Sequence, residues 1–109
     1  MQKKIDIHVH ASMYKRERAN RPGSTTITPE DFKVVFDKLG ISKAVNLPGF
    51  SPEYPSELNF NDEACCIVQK YPDMFYWFCN INPKLTENRP EVDFSDYINF
   101  YKKLGAKGV

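Results

Sequence analysis

The stretch that indicates the fold of this chain reads Ile5-Asp6-Ile7-His8-Val9-His10. Apolar and polar residues alternate along it with a period of two, which is typical of a β-strand. In such a strand Asp6, His8 and His10 lie on one face and the three apolar residues lie on the other. The sequence therefore opens with a predicted strand that presents two histidines on the same side.

A polar stretch from Ala11 to about Ile27 follows this strand and is predicted to be a long loop. Long loops inside compact domains are often functional. The next segment, Thr28-Pro29-Glu30-Asp31, predicts a helix start, with Thr28 as the N-cap and Asp31 in a capping box. Gly40 ends this helix. Its predicted buried stripe consists of Phe32, Val35, Phe36 and Leu39.

Two further strands and two further helices are predicted after Gly40. The strands are Ile41–Leu47 and Met74–Asn82, and Asn61 is predicted to cap the helix between them. A third helix is predicted near Phe94–Leu104. The order βαβαβα indicates an α/β fold with a parallel sheet covered by helices. Right-handed crossovers then place the carboxyl ends of all the strands at one edge of the sheet.

The last residues repeat the pattern that joins the first helix to the second strand. Lys38–Val45 and Lys103–Val109 each contain a helix end, a glycine, polar residues and then apolar ones. This similarity predicts that Lys107–Val109 opens a fourth strand. The chain would then be the N-terminal part of a single longer domain, cut at the start of that strand, or an unusual minimal version of such a protein.

Composition and charge limit the possible binding partners and the cellular location of the chain. A chain of 109 residues with a net charge of +1 has no electrostatic basis for binding nucleic acid or an anionic membrane. It lacks an apolar run of about 20 residues and a signal peptide. Its three cysteines, two of them adjacent, fit reduced thiols and a cytoplasmic location.

The histidine pair is the main candidate for a functional site. The Cα atoms of His8 and His10 are expected about 6.5–7 Å apart, so both imidazoles can reach one metal ion. They lie at the strand edge where parallel α/β folds place their active sites. The alternative is that both are ordinary polar residues at a strand end. Asp6 either orients an imidazole or is a carboxylate satisfied by backbone groups.

Asparagines and a basic cluster are the other candidates. Asn46, Asn80 and Asn82 stand near predicted strand ends, where they either bond loop backbone or contact a substrate. The basic cluster is either a solvated part of the loop or a contact to an anionic substrate. It consists of Lys15, Arg16, Arg18 and Arg21.

A family resemblance extends over essentially the whole chain. The first strand, Ile5–Ala11, resembles the first-strand signature of the amidohydrolase superfamily, and later segments resemble its amidohydrolase-2 branch of TIM-barrel metal-dependent hydrolases. Those segments, in order, are Ile27–Asp31, Leu39–Val45, Lys70–Phe75 and Leu104–Val109.

The resemblance implies the first half of a (β/α)8 barrel that binds one or two divalent metals, often zinc. Further histidines and an aspartate from later strands would complete the site, so only His8 and His10 carry over to this sequence. The implied activity is attack of a metal-activated water on a small amide, ester or ring compound, or a related decarboxylation. The alternatives are a non-catalytic α/β binding module and a half-barrel that self-associates.

Overall fold

A computed structural model describes residues 2–19, 21–49, 60–84, 87 and 89–109 of the chain. Within them lie five strands and three helices. In chain order these are β1 (Lys4–Val9), β2 (Glu17–Arg18), β3 (Arg21–Thr25), α1 (Pro29–Leu39), β4 (Ile41–Asn46), α2 (Asn61–Lys70), β5 (Phe75–Trp77) and α3 (Ser95–Lys103).

A parallel sheet organises the described residues. Its strand order is β1-β4-β5, so β4 is central and β1 and β5 flank it. Val9 of β1 is the register partner of Asn46 of β4, and Asn46 is in turn the partner of Trp77 of β5. The predicted α/β arrangement with parallel strands is confirmed for these three strands.

The core lies between this sheet and the helices α1 and α2. Phe75 is fully buried, and its ring centroid lies 6.0 Å from that of Phe32 and 5.9 Å from that of Phe36. A second cluster surrounds Trp77, which contacts Tyr101 with perpendicular rings at 6.3 Å. Phe75 and Trp77 of one short strand therefore contact α1 and α3, respectively.

Helix α1 begins and ends as its sequence predicts. Thr28 is the N-cap, its side chain and that of Asp31 form the reciprocal capping box, and Gly40 closes the helix in the left-handed region at φ 70°. The predicted stripe is only half right, because Val35 and Leu39 are exposed. The helix contacts the core through Phe32 and Phe36.

Helix α2 and strand β5 differ from their predicted limits. The N-cap of α2 is Phe60, and the side chain of Asn61 instead exchanges two hydrogen bonds of 2.7 Å with the backbone of Asn80. Strand β5 covers three residues, not the predicted nine of Met74–Asn82. The backbone leaves β4 after Phe78 because β4 ends at Asn46 and Pro48 has no N–H for a continued ladder.

The predicted loop after β1 contains a β-hairpin. Strands β2 and β3 pair antiparallel, with Glu17 opposite Thr25, and Gly23 adopts φ 80°. The base of the hairpin is tied to the end of β1, because Ala11 bridges Ile27 and the Ser12 N–H donates to the Ile27 carbonyl at 2.8 Å. The prediction of an irregular loop was therefore wrong for Glu17–Arg18 and Arg21–Thr25.

Residues 107–108 lie alongside the end of β5. The Lys107 N–H donates to the Trp77 carbonyl at 2.9 Å, and the Cys79 N–H donates to the Gly108 carbonyl at 2.8 Å. The segment has no strand assignment, so a fourth strand at Lys107–Val109 stays a prediction. Among the helices of the described part of the chain, none has both the length and the apolar character to cross a membrane.

Candidate metal centre

The imidazoles of His8 and His10 converge at the carboxyl end of β1. Their Nε2 atoms lie 3.2 Å apart, and the rings are nearly perpendicular at 83°. Two nitrogens bound to one tetrahedral zinc ion at about 2.0–2.1 Å would be roughly 3.3–3.4 Å apart. The spacing of this pair therefore fits shared coordination of one metal ion with little movement of either ring.

The other ring nitrogen of His10 determines its tautomer. Nδ1 lies 2.7 Å from the backbone carbonyl of Leu47, which can only accept, so Nδ1 carries the proton. Neutral His10 then has an unprotonated Nε2 facing His8, the form in which imidazole binds metals. A hydrogen bond of this kind from the distal nitrogen is the usual support of a metal-bound histidine.

Strand β1 is irregular where it carries these histidines. Its pairing with β4 shifts register between Asp6 and Val9, and Oδ1 of Asp6 accepts the His8 N–H at 3.0 Å. Ile5 and Ile7 are 57% and 74% exposed while Val9 is buried, so on the face opposite the histidines only Val9 packs into the core. Orientation of an imidazole by Asp6 stays a prediction.

A cleft of about 390 Å³ surrounds the pair. It combines polar groups near the histidines with an apolar wall, and its other lining residues include Ser12, Arg18, Thr26, Ile27 and Phe32.

The residues of the basic cluster lie in different surroundings in the structure. Lys15 pairs with Asp31 at 3.1 Å and Arg16 with Glu63 at 3.6 Å, whereas Arg18 lines the cleft that holds the histidines. The Lys15 ammonium, after the Thr28 backbone N–H, helps to hold the pKa of the Asp31 carboxyl below its usual range. Arg18 is thus the member of the cluster that is placed to meet a substrate bound near the histidines.

Two side chains that sequence reasoning missed fix the segment after β1, one from within that segment and one from helix α2. The buried Thr26 hydroxyl accepts the Arg16 N–H and donates to the Tyr14 carbonyl, both at 3.0 Å. Glu63, at the start of α2, accepts the Met13 N–H at 2.7 Å. The Glu63 contact joins positions 50 residues apart, so local sequence carried no signal of it.

The three candidate asparagines occupy two different places. Asn46 is fully buried, and its Oδ1 accepts the Ala11 N–H at 2.9 Å, directly after His10. Asn80 and Asn82 line a separate cleft of about 890 Å³ between α2 and α3, and Oδ1 of Asn82 accepts the Lys84 N–H. The structure therefore brings only Asn46 close to the histidine pair.

The cysteines stand apart from the candidate site. Burial raises the pKa of the Cys65 and Cys79 thiols, which disfavours the thiolate that binds metals. Within the residues that the structure describes, no group of three or more His, Cys, Asp or Glu side chains is arranged to hold a metal ion. His8 and His10 supply two ligands, and a stable zinc site needs at least one more protein ligand.

Comparison with protein-family models, with curated proteins and with solved structures finds no match to this chain.

Proposed function

We propose that His8 and His10 are two ligands of a divalent metal, Zn²⁺, in a metal-dependent hydrolase of the amidohydrolase type. The observation that carries this proposal is the 3.2 Å separation of the two Nε2 atoms, together with the hydrogen bond from His10 Nδ1 to the Leu47 carbonyl. The same separation is within hydrogen-bond range, so without metal the His8 Nε2–H can donate to the unprotonated Nε2 of His10, and a metal ion bound between the two nitrogens would replace that proton. Iron, nickel and manganese are the other metals that imidazoles suit.

The proposal extends to a (β/α)8 barrel of which this chain forms the first half. Support comes from the parallel order β1-β4-β5 and from the position of both histidines where β1 ends. Later strands of such a barrel would supply the remaining ligands. The bound metal would supply a hydroxide from water or polarise a substrate oxygen. A related decarboxylation would use the same centre.

The cleft around the histidines favours a small substrate with a carbonyl or carboxylate group. Arg18 offers a planar donor fork that suits a carboxylate, and Phe32 with Ile27 offers an apolar wall to the body of the compound. Nucleic acid and membrane partners are not proposed, because the chain carries a net charge of +1. A cytoplasmic location, in keeping with three free cysteines, remains a prediction.

Zinc binding tests the proposal directly. The chain is titrated with Zn²⁺ in competition with a chromophoric chelator, alongside His8→Ala, His10→Ala, the double variant and an Ile5→Ala control on the same strand. Because two protein ligands hold zinc weakly, we expect weak binding of one zinc ion per chain, lost in the double variant and retained in the control. Zinc affinity that survives replacement of both histidines would remove the central claim.

A non-catalytic module that self-associates is the second candidate function. It is favoured by the exposed side chains of Ile5 and Ile7 on β1, which lies at the edge of the sheet. An edge strand with apolar side chains is a template for pairing with another copy. A chain that binds no zinc but forms dimers would support this candidate.

A further inference from the structure

The end of β4 holds the segment around His10 by three successive hydrogen bonds. The Leu47 N–H donates to the Val9 carbonyl at 2.8 Å, the Leu47 carbonyl accepts from His10 Nδ1, and Oδ1 of Asn46 accepts the Ala11 N–H. Two adjacent residues, Asn46 and Leu47, thus hold the ring of His10 and the peptide groups on both sides of it. Asn46 supplies the last of these bonds from its side chain.

A side chain accepts a hydrogen bond there because the next backbone carbonyl is already engaged. The Leu47 N–H donates to the Val9 carbonyl, so in a regular parallel ladder the Leu47 carbonyl would accept the Ala11 N–H, but it accepts from His10 Nδ1 instead. The Asn46 amide oxygen accepts the Ala11 N–H in its place. The fully buried Ala11 N–H is thereby paired, and the chain leaves β1 in a defined direction.

The oxygen and the nitrogen of the Asn46 amide differ in their hydrogen bonding. Its oxygen accepts a hydrogen bond, whereas Nδ2 is buried without a hydrogen-bond partner among the described residues. An unpaired buried donor is costly, so the residue is retained for its oxygen. A carboxylate has the same oxygen, but it would bury a negative charge in a fully enclosed position.

We infer that Asn46 is a positioning residue for His10, acting through its amide oxygen on the Ala11 N–H. The inference rests on the proposed function, since the position of His10 matters for metal binding. Asn46 fixes the backbone on the carboxyl side of His10, which allows the ring to keep its bond to the Leu47 carbonyl and to aim Nε2 at His8.

The experiment compares Asn46→Ala and Asn46→Ser, whose side chains cannot reach the Ala11 N–H, with Asn46→Asp, which keeps the oxygen. Val45→Ala is the control, because it truncates a buried neighbour on the same strand. Two quantities are measured for each folded variant. These are the Kd for Zn²⁺ and the ¹⁵N chemical shifts of the His10 ring, which report the tautomer without metal.

We expect Asn46→Ala and Asn46→Ser to weaken zinc binding by about tenfold or more and to give a mixture of His10 tautomers. Asn46→Asp and Val45→Ala should keep both the affinity and the Nδ1–H tautomer. If Asn46→Ala does not fold, Asn46→Ser carries the comparison.

Two results would overturn the inference. Affinity and tautomer in Asn46→Ser equal to those of Val45→Ala would show that the oxygen does not position His10. A loss in Asn46→Asp as large as in Asn46→Ser would show that an oxygen at this position does not by itself position His10. If the unaltered chain binds no zinc yet the tautomer still depends on Asn46, the proposed function fails and the positioning role stands.

Discussion

At the scale of single residues, the stability of the fold depends strongly on Phe75. It is fully buried and contacts the rings of Phe32 and Phe36 from the shortest strand of the parallel sheet. We expect Phe75→Ala to lower the free energy of unfolding by about 3–5 kcal/mol, because it removes a large apolar side chain and leaves a cavity. Urea denaturation followed by circular dichroism measures this change.

The matched control is Phe100→Ala on α3, where the side chain is 57% exposed. Its effect should stay within about 0.5 kcal/mol. Equal losses in the two variants would contradict the assignment of the core to the contact between β5 and α1.

Arg18 carries the second prediction at this scale. If a carboxylate binds in the cleft, Arg18→Gln should weaken binding of benzoate to the zinc-loaded chain by about tenfold, because a charge-assisted hydrogen bond is lost. The Kd for zinc should not change, since Arg18 is not a proposed ligand. Arg21→Gln, an exposed position of the same hairpin, serves as the control and should bind benzoate normally. Unaltered benzoate affinity in Arg18→Gln would remove the proposed substrate contact.

Single residues also show what the sequence could predict of the candidate site. The convergence of His8 and His10 follows from their spacing on a strand, which is a local property. The supports of the pair are not local, because Leu47 meets His10 across 37 positions and Glu63 meets Met13 across 50. These contacts depend on how distant segments of the chain pack together, and no local sequence pattern predicts that packing.

At the scale of secondary-structure elements, the capping box of α1 makes stability depend on pH. Hydrogen bonds from the Thr28 backbone, and then from Lys15, lower the pKa of Asp31 in the folded chain. The unfolded chain therefore takes up this proton at a higher pH, near the ordinary value of about 3.9. Stabilisation by Asp31 is present above that pH and is lost as the pH falls through the lower, folded pKa.

Thermal unfolding between neutral pH and about pH 3 tests this dependence. We expect the melting temperature of Asp31→Asn to fall less steeply on acidification than that of the unaltered chain. Asp37→Asn, at the exposed far end of α1, is the control and should leave the slope unchanged. Parallel curves for Asp31→Asn and the unaltered chain would contradict the role of the capping box.

The elements also differ in how well sequence predicted them. Helix α1 begins at Thr28 and ends at Gly40 as expected, because caps depend on residues within one turn. Strand β5 is shorter than predicted because its length depends on where β4 ends. The hairpin of β2 and β3 was missed because Pro22 and Gly23 are typical of loops, yet both lie inside the short strand β3.

At the scale of the whole molecule, the open edge of the sheet predicts self-association. Ile7 is 74% exposed on the edge strand β1. We expect dimers or larger species in light scattering at roughly tens of micromolar, and we expect Ile7→Lys to shift the chain towards monomer, since a charge blocks edge pairing. Ile98→Lys, on the outer side of α3, is the control. A clean monomer of the unaltered chain would count against both the half-barrel and the self-associating module.

The parallel order of three strands could be predicted from the alternation of strands and helices alone. Closure into a barrel could not, because it depends on strand tilt and stagger around the full circle, and neither is determined by three strands.

The hydrogen bond between His10 and the Leu47 carbonyl also has a kinetic consequence. It closes a segment that contains the hairpin and α1, so the entropy of loop closure must be overcome before this contact can form. The two histidines are near neighbours in the chain and can meet a metal ion even in the unfolded state. Zinc that is present during refolding would therefore bind the two histidines before His10 reaches the Leu47 carbonyl. The folded geometry of the pair would form only when β4 packs against β1. Folding in the presence and absence of metal should accordingly differ in rate as well as in final stability.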